Sequence, residues 1–86
     1  MADLKKLRSE IDATDEQILL FLAKRVRICI AVGTAKKKEG LPVHDANREE
    51  EVFKRARAKA AEMGLNPIQV QAVYREIVNM CSAVQE

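Results

Sequence analysis

Between Asp3 and Glu39 the chain contains no proline, and its apolar residues recur at Leu4, Leu7, Ile11, Ile18, Phe21, Ile28, Val32 and Ala35. This seven-residue repeat with three-four spacing predicts one long helix with an apolar seam. Gly33 is the one weak point in the stretch, and its small size suits close packing against a neighbour. A helix of about 36 residues is about 54 Å long at ~1.5 Å per residue. The whole chain has 86 residues, and a compact domain of that size has a radius of gyration near ~12 Å. The helix therefore overshoots any compact monomer, and much of its seam would stay wet. A second copy packed along the seam removes the mismatch, so an intertwined homodimer is expected.

Two punctuation marks divide the rest. They are Glu39-Gly40-Leu41-Pro42-Val43 and Met63-Gly64-Leu65-Asn66-Pro67. Gly past a helix end and Pro at a helix start are the usual asymmetry. The second helix is expected to start at Asp45 as N-cap, to bury Val52, Phe53, Ala56, Ala60 and Met63, and to end at Gly64. The third is expected to start at Asn66 as N-cap with Pro67 at the first helical position and Gln69 completing a capping-box variant. Its apolar face reads Val70, Val73, Tyr74, Ile77, Val78, Cys81 and Val84. The fold class predicted is all-α, with three helices in a single domain over residues 1–86. The aromatics, Phe21, Phe53 and Tyr74, are too few for a sandwich or barrel.

Several functions drop out on composition. The apolar runs are only a few residues long, so nothing is expected to span a membrane. The N-terminal Met1-Ala2-Asp3-Leu4-Lys5-Lys6 does not read as a signal peptide. Fifteen basic and thirteen acidic side chains give a net charge of +2, too balanced to imply nucleic acid by itself. Cys29 and Cys81 have no metal-ligand spacing, and with no secretory signal they are expected to be two reduced thiols in a cytoplasmic protein. His44, the single histidine, is expected at the surface.

The residues that break the apolar pattern carry the functional information. Arg25 falls on the seam between Phe21 and Ile28, and Lys36, eleven residues later, points the same way. Glu49 precedes Val52, Phe53 and Ala56 by three, four and seven residues, which turns its carboxylate inward. Gln85 continues the stripe of Val78 and Cys81. Each alone reads as a buried pair or a snorkelling side chain. Together, two cations, one carboxylate and one amide converge on an apolar interior. A buried unpaired cation costs several kcal/mol, roughly, and one glutamate cannot balance two, so an anionic ligand is expected. Arg8 lies seventeen residues before Arg25, about 25 Å along the helix at the usual rise. It cannot reach the same ligand within one chain but could in an antiparallel dimer.

In order along the chain stand Leu7-Arg8-Ser9-Glu10-Ile11-Asp12, Leu22-Ala23-Lys24-Arg25, Val32-Gly33-Thr34-Ala35-Lys36, Pro42-Val43-His44-Asp45-Ala46-Asn47-Arg48-Glu49 and, at the end, Gln85. Any one fragment is weak, but their order and spacing are specific, and the chain resembles the all-helical chorismate mutases over essentially its whole length. The resemblance implies a homodimer with two equivalent sites, each completed by the other chain's Arg8. It implies an isomerase of aromatic amino acid biosynthesis that rearranges chorismate to prephenate without a cofactor. Arg8 and Arg25 would clamp the two carboxylates, with Arg48 in support. Lys36 and Gln85 would donate to the ether oxygen, and Glu49 with a backbone amide near Asp45 would hold the ring hydroxyl. The family commonly has serine where this chain has Cys81. A thiol is the weaker donor, so either affinity is lower or a nearby group such as Asn79 or Ser82 compensates. Gln85 also stands one residue before the end of the sequence, where fraying is expected until substrate orders it.

Three rivals stay open on sequence. An isochorismate–pyruvate lyase would also use Arg25 and Lys36, and Glu49 argues against it. A non-catalytic dimerisation or regulatory module would keep the helices without needing the polar set. A helical RNA-binding dimer is disfavoured by the near-balanced charge. Docking of the dimer on another shikimate-pathway enzyme is not decided by the residues.

Overall fold

The computed structural model describes residues 3–86, and among them the regular structure is three α-helices: α1 Leu4–Glu39, α2 Ala46–Glu62 and α3 Pro67–Gln85. Each start is capped as its residues require. Asp3 accepts from Lys5 N, Asp45 from Arg48 N, and Asn66 from Ile68 N and Gln69 N, with Pro67 in the first turn. Gly40 at φ +69° and Gly64 at φ +76° take the left-handed conformation just past α1 and α2. That region is steeply disfavoured for a side chain with a Cβ.

α3 is the shared partner, packing against both α1 and α2. The buried apolar residues are Cys29, Phe53, Ala56, Ala60 and Val78. The alanines of α2 bring its backbone close to α3. Arg75 of α3 lies over the Phe53 ring at 5.3 Å, and Arg57 donates to Gln71 Oε1 at 2.6 Å. Where α1 crosses α3 the spacer is Gly33: a Cβ there would stand 2.9 Å from Gln85 Cα. The small residue permits the crossing, as its size suggests.

The N-terminal half of α1 projects beyond this core. The molecule measures 59 × 23 × 15 Å with a radius of gyration of 16.2 Å, against about 12 Å for a compact chain of this length. Leu4, Leu7, Ile11, Ile18 and Phe21 are exposed, Phe21 by 66%. The seam therefore lies bare in the single chain, as its length demands.

Three apolar assignments need correction. Met63 is the C-cap of α2 and 70% exposed rather than part of its inner face. The helix ends before Met63 could turn onto α3. Val73 and Val84 of α3 are exposed as well, since they sit at the margin of a stripe that α1 and α2 do not fully cover.

Candidate functional site

The three helices enclose a cleft of about 290 Å³. α1 contributes Arg25, Cys29 and Lys36, α2 contributes Arg48 and Glu49, α3 contributes Cys81, Ser82 and Gln85, and Val43 and Asp45 come from the connector. Ile28, Val32, Val52 and Val78 supply apolar walls. Seven of the eight residues singled out from the sequence thus meet here: Arg25, Lys36, Asp45, Arg48, Glu49, Cys81 and Gln85. Arg8 does not, because it stands on the exposed projecting half of α1.

Lys36 is held by neutral acceptors. Its Nζ donates to Gln85 Oε1 at 2.8 Å and to the Val43 carbonyl. The connector supplies that carbonyl by turning back after Gly40, where Leu41 N bonds to Lys36 O at 2.8 Å. Gln85 is buried, 7% exposed. Its amide nitrogen donates to Cys81 Sγ, 3.1 Å away, and both residues line the cleft. The amide nitrogen carries a second N–H, which is free to donate to an oxygen in the cleft while Oε1 stays on Lys36. Sulfur is a weak acceptor, so that bond is readily exchanged for one to a charged oxygen.

Among the described residues neither Arg25 nor Lys36 forms an ion pair. Both are half-buried, and Glu49, also half-buried, is a carboxylate lining the same cleft. The cleft thus carries an excess of positive charge beside apolar walls, which suits an organic anion. Arg48 lies at the rim, exposed and paired with Glu51 at 3.2 Å. His44 is at the surface, 3.6 Å from Glu86. Asp45 places the N-terminus of α2 at the cleft edge, where free amide donors collect.

The expectation of two reduced thiols is overturned. Cys29 and Cys81 form a disulfide joining α1 to α3, with Cα atoms 5.3 Å apart and a sequence separation of 52. Cys81 is therefore not a thiol donor in this structure. It lines the cleft as a sulfur that accepts from Gln85, and Arg25 Nη1 lies 3.7 Å from Cys29 Sγ on the same floor. The physical reason is the helix crossing. Cys29 is four residues before Gly33, Cys81 is four before Gln85, and Gly33 touches Gln85, so the cysteines face each other one turn away. The pairing follows from that crossing, which local spacing along either helix does not give. Of the two groups named as substitutes for the missing serine, Ser82 lines the cleft and Asn79 is exposed. The Val43 carbonyl on Lys36 carried no sequence signal, because it depends on how the connector folds back.

Comparison with known proteins agrees with the all-helical fold. Residues 7–86 match the family model of chorismate mutase type II. A bifunctional chorismate mutase/prephenate dehydratase of Aquifex aeolicus is 36% identical over 89 residues, covering 100% of this chain and 25% of the relative. The T-protein of Enterobacter agglomerans is 33% identical over 78 residues, covering 91% of this chain and 21% of the relative. The solved structure of a conserved hypothetical protein from Pyrococcus furiosus superposes with a TM-score of 0.78 at 38% identity, covering 96% of this chain and 95% of that one. An all-helical cleft with unpaired cations, matched over nearly its full length by one family model, places the chain in a class: it belongs to the chorismate mutase type II family. The chain spans about a quarter of the length of the curated relatives it matches.

Proposed function

We propose that residues 1–86 form a single chorismate mutase domain that rearranges chorismate to prephenate. The observation that carries this reading is the unpaired Arg25 and Lys36 lining one apolar-walled cleft with Glu49 and Gln85. Chorismate has two carboxylates, a hydroxyl and an ether oxygen. A guanidinium fork suits a carboxylate, so Arg25 binds one, with Arg48 in support at the rim. Glu49 accepts from the ring hydroxyl beside the amides of the α2 N-terminus at Asp45. Binding at both ends holds the substrate folded in its reactive form and lowers the entropic cost of reaction. As the carbon–oxygen bond breaks, negative charge grows on the ether oxygen. Lys36 and the second N–H of Gln85 stabilise that charge, which favours the transition state over the ground state. No proton is transferred.

The second carboxylate is assigned to Arg8 of a second copy. Support comes from the bare seam of α1 and from the distance that keeps Arg8 out of its own cleft. A dimer along α1 removes both problems together. Cytoplasmic location goes with this reading, because a dicarboxylate does not cross a membrane unaided. So does a neighbouring enzyme that handles the product, suggested by the bifunctional name of the Aquifex relative.

The test is to mix the purified protein with chorismate, follow loss of the diene absorbance and identify the product by chromatography. Prephenate is the expected product. Pyruvate released from isochorismate would instead make the protein a lyase, and no turnover by a folded dimer would leave a binding module.

A further inference from the structure

We propose that the Cys29–Cys81 disulfide is a positioning element of the cleft, holding the last turn of α3 so that Gln85 stays against Lys36; its effect on rate rests on the mutase reading above. Four observations converge. The bond joins α1 and α3 across 52 residues of sequence, directly beneath the cleft. It lies one turn before Gln85, the last residue of α3. The final turn of a helix has carbonyls without intrahelical partners and is its most easily opened part. Gln85 nevertheless is buried and touches Gly33 and Lys36. A covalent tie four residues earlier gives that turn a fixed end on α1, the helix that carries Arg25 and Lys36.

Cys81 is half-buried and lines the cleft while Cys29 is 5% exposed, so a small dithiol reaches the bond through the cleft at Cys81 Sγ. Reduction breaks the S–S bond and leaves Cys29 and Cys81 as thiols, each having gained one electron and one proton. The dithiol supplies both and closes to its cyclic disulfide. Arg25 stays in place on α1, so ground-state binding of the carboxylate is preserved. The loss falls on the transition-state contact made by Gln85.

The experiment compares the protein as purified, the same protein treated with dithiothreitol, and the Cys29→Ala variant, which removes the tie and leaves Cys81 as a thiol. Intact mass with and without thiol alkylation first establishes the state of the pair. Amide hydrogen exchange is then read along α3, and kcat and KM are measured for chorismate. We expect faster exchange confined to the last turn of α3, kcat lower by about tenfold, a partial loss of one transition-state donor, and KM nearly unchanged. Cys29→Ala should match the reduced protein and ignore dithiothreitol, and reoxidation should restore wild-type kcat. Two free thiols in the purified protein, unchanged exchange at the α3 end, or melting of all three helices on reduction would each overturn the proposal. Faster exchange with equal kcat in both states would also overturn it. Faster exchange in a protein that turns over no chorismate in either state would sustain the tie and sink the mutase reading.

Discussion

Gly33 and Gln85 are in contact across the crossing of α1 and α3, close enough that a Cβ on Gly33 would meet Gln85 Cα at 2.9 Å and its Cγ at 3.0 Å. The closer of these atoms is backbone, so the contact cannot be relieved by a change of rotamer. Alanine favours a helix over glycine by about 1 kcal/mol, while overpacking costs about 1–3 kcal/mol. Gly33→Ala should therefore lower stability by about 1 kcal/mol, read as a drop in Tm. On the proposed mutase reading it should cut kcat by about tenfold, because that reading makes the displaced Gln85 a transition-state donor. An alanine variant with unchanged kcat would mean that Gln85 tolerates displacement.

Lys36 is the cation with the best-defined neighbours in the cleft, bonded to Gln85 and to Val43. Lys36→Ala should lower kcat/KM by about 10²–10³, the usual effect of losing one preorganised donor. Helical circular dichroism should be unchanged, because Lys36 is half-buried and not part of the apolar core. Equal activity would remove Lys36 from the reaction.

Arg8 and Arg25 stand on one helix but at opposite ends of the functional geometry. Arg8→Ala and Arg25→Ala chains should each be nearly inactive. Mixed by co-refolding, they should regain partial activity, since a heterodimer has one site with both arginines intact. Absence of recovery, with dimers present by sedimentation, would place Arg8 outside the site.

Ser82 supplies a hydroxyl to the cleft where Cys81 is tied up in the disulfide. A hydrogen bond to a charged group contributes about 1.5–3 kcal/mol. Ser82→Ala should therefore raise KM by about ten- to hundredfold with kcat held, the mark of lost uniform binding. Steady-state kinetics on chorismate separates this from a loss of kcat, which would assign Ser82 to the transition state instead.

Much of the chain was legible before folding because its signals are local. The seam of α1, Asp45 and Asn66 at the caps, Pro67 and the two glycines depend on spacing and backbone preference within a few residues. They specify three helices and their limits. The inward turn of Arg25, Lys36, Glu49 and Gln85 follows from the same periodicity. Periodicity gives a direction around a helix but not what stands opposite. Met63 illustrates the limit: it continues the stripe of α2, yet the helix ends before Met63 can join it.

Local spacing alone specifies three helices, a first helix too long for a compact monomer, and a set of polar residues turned inward on each. It takes the packed helices to bring Cys29 opposite Cys81, the Val43 carbonyl onto Lys36, and Ser82 rather than Asn79 into the cleft. Those contacts depend on where two helices cross and how the connector folds back. The crossing is set by side chains 52 residues apart in sequence, packing around the absent side chain of Gly33. No local pattern carries that distance.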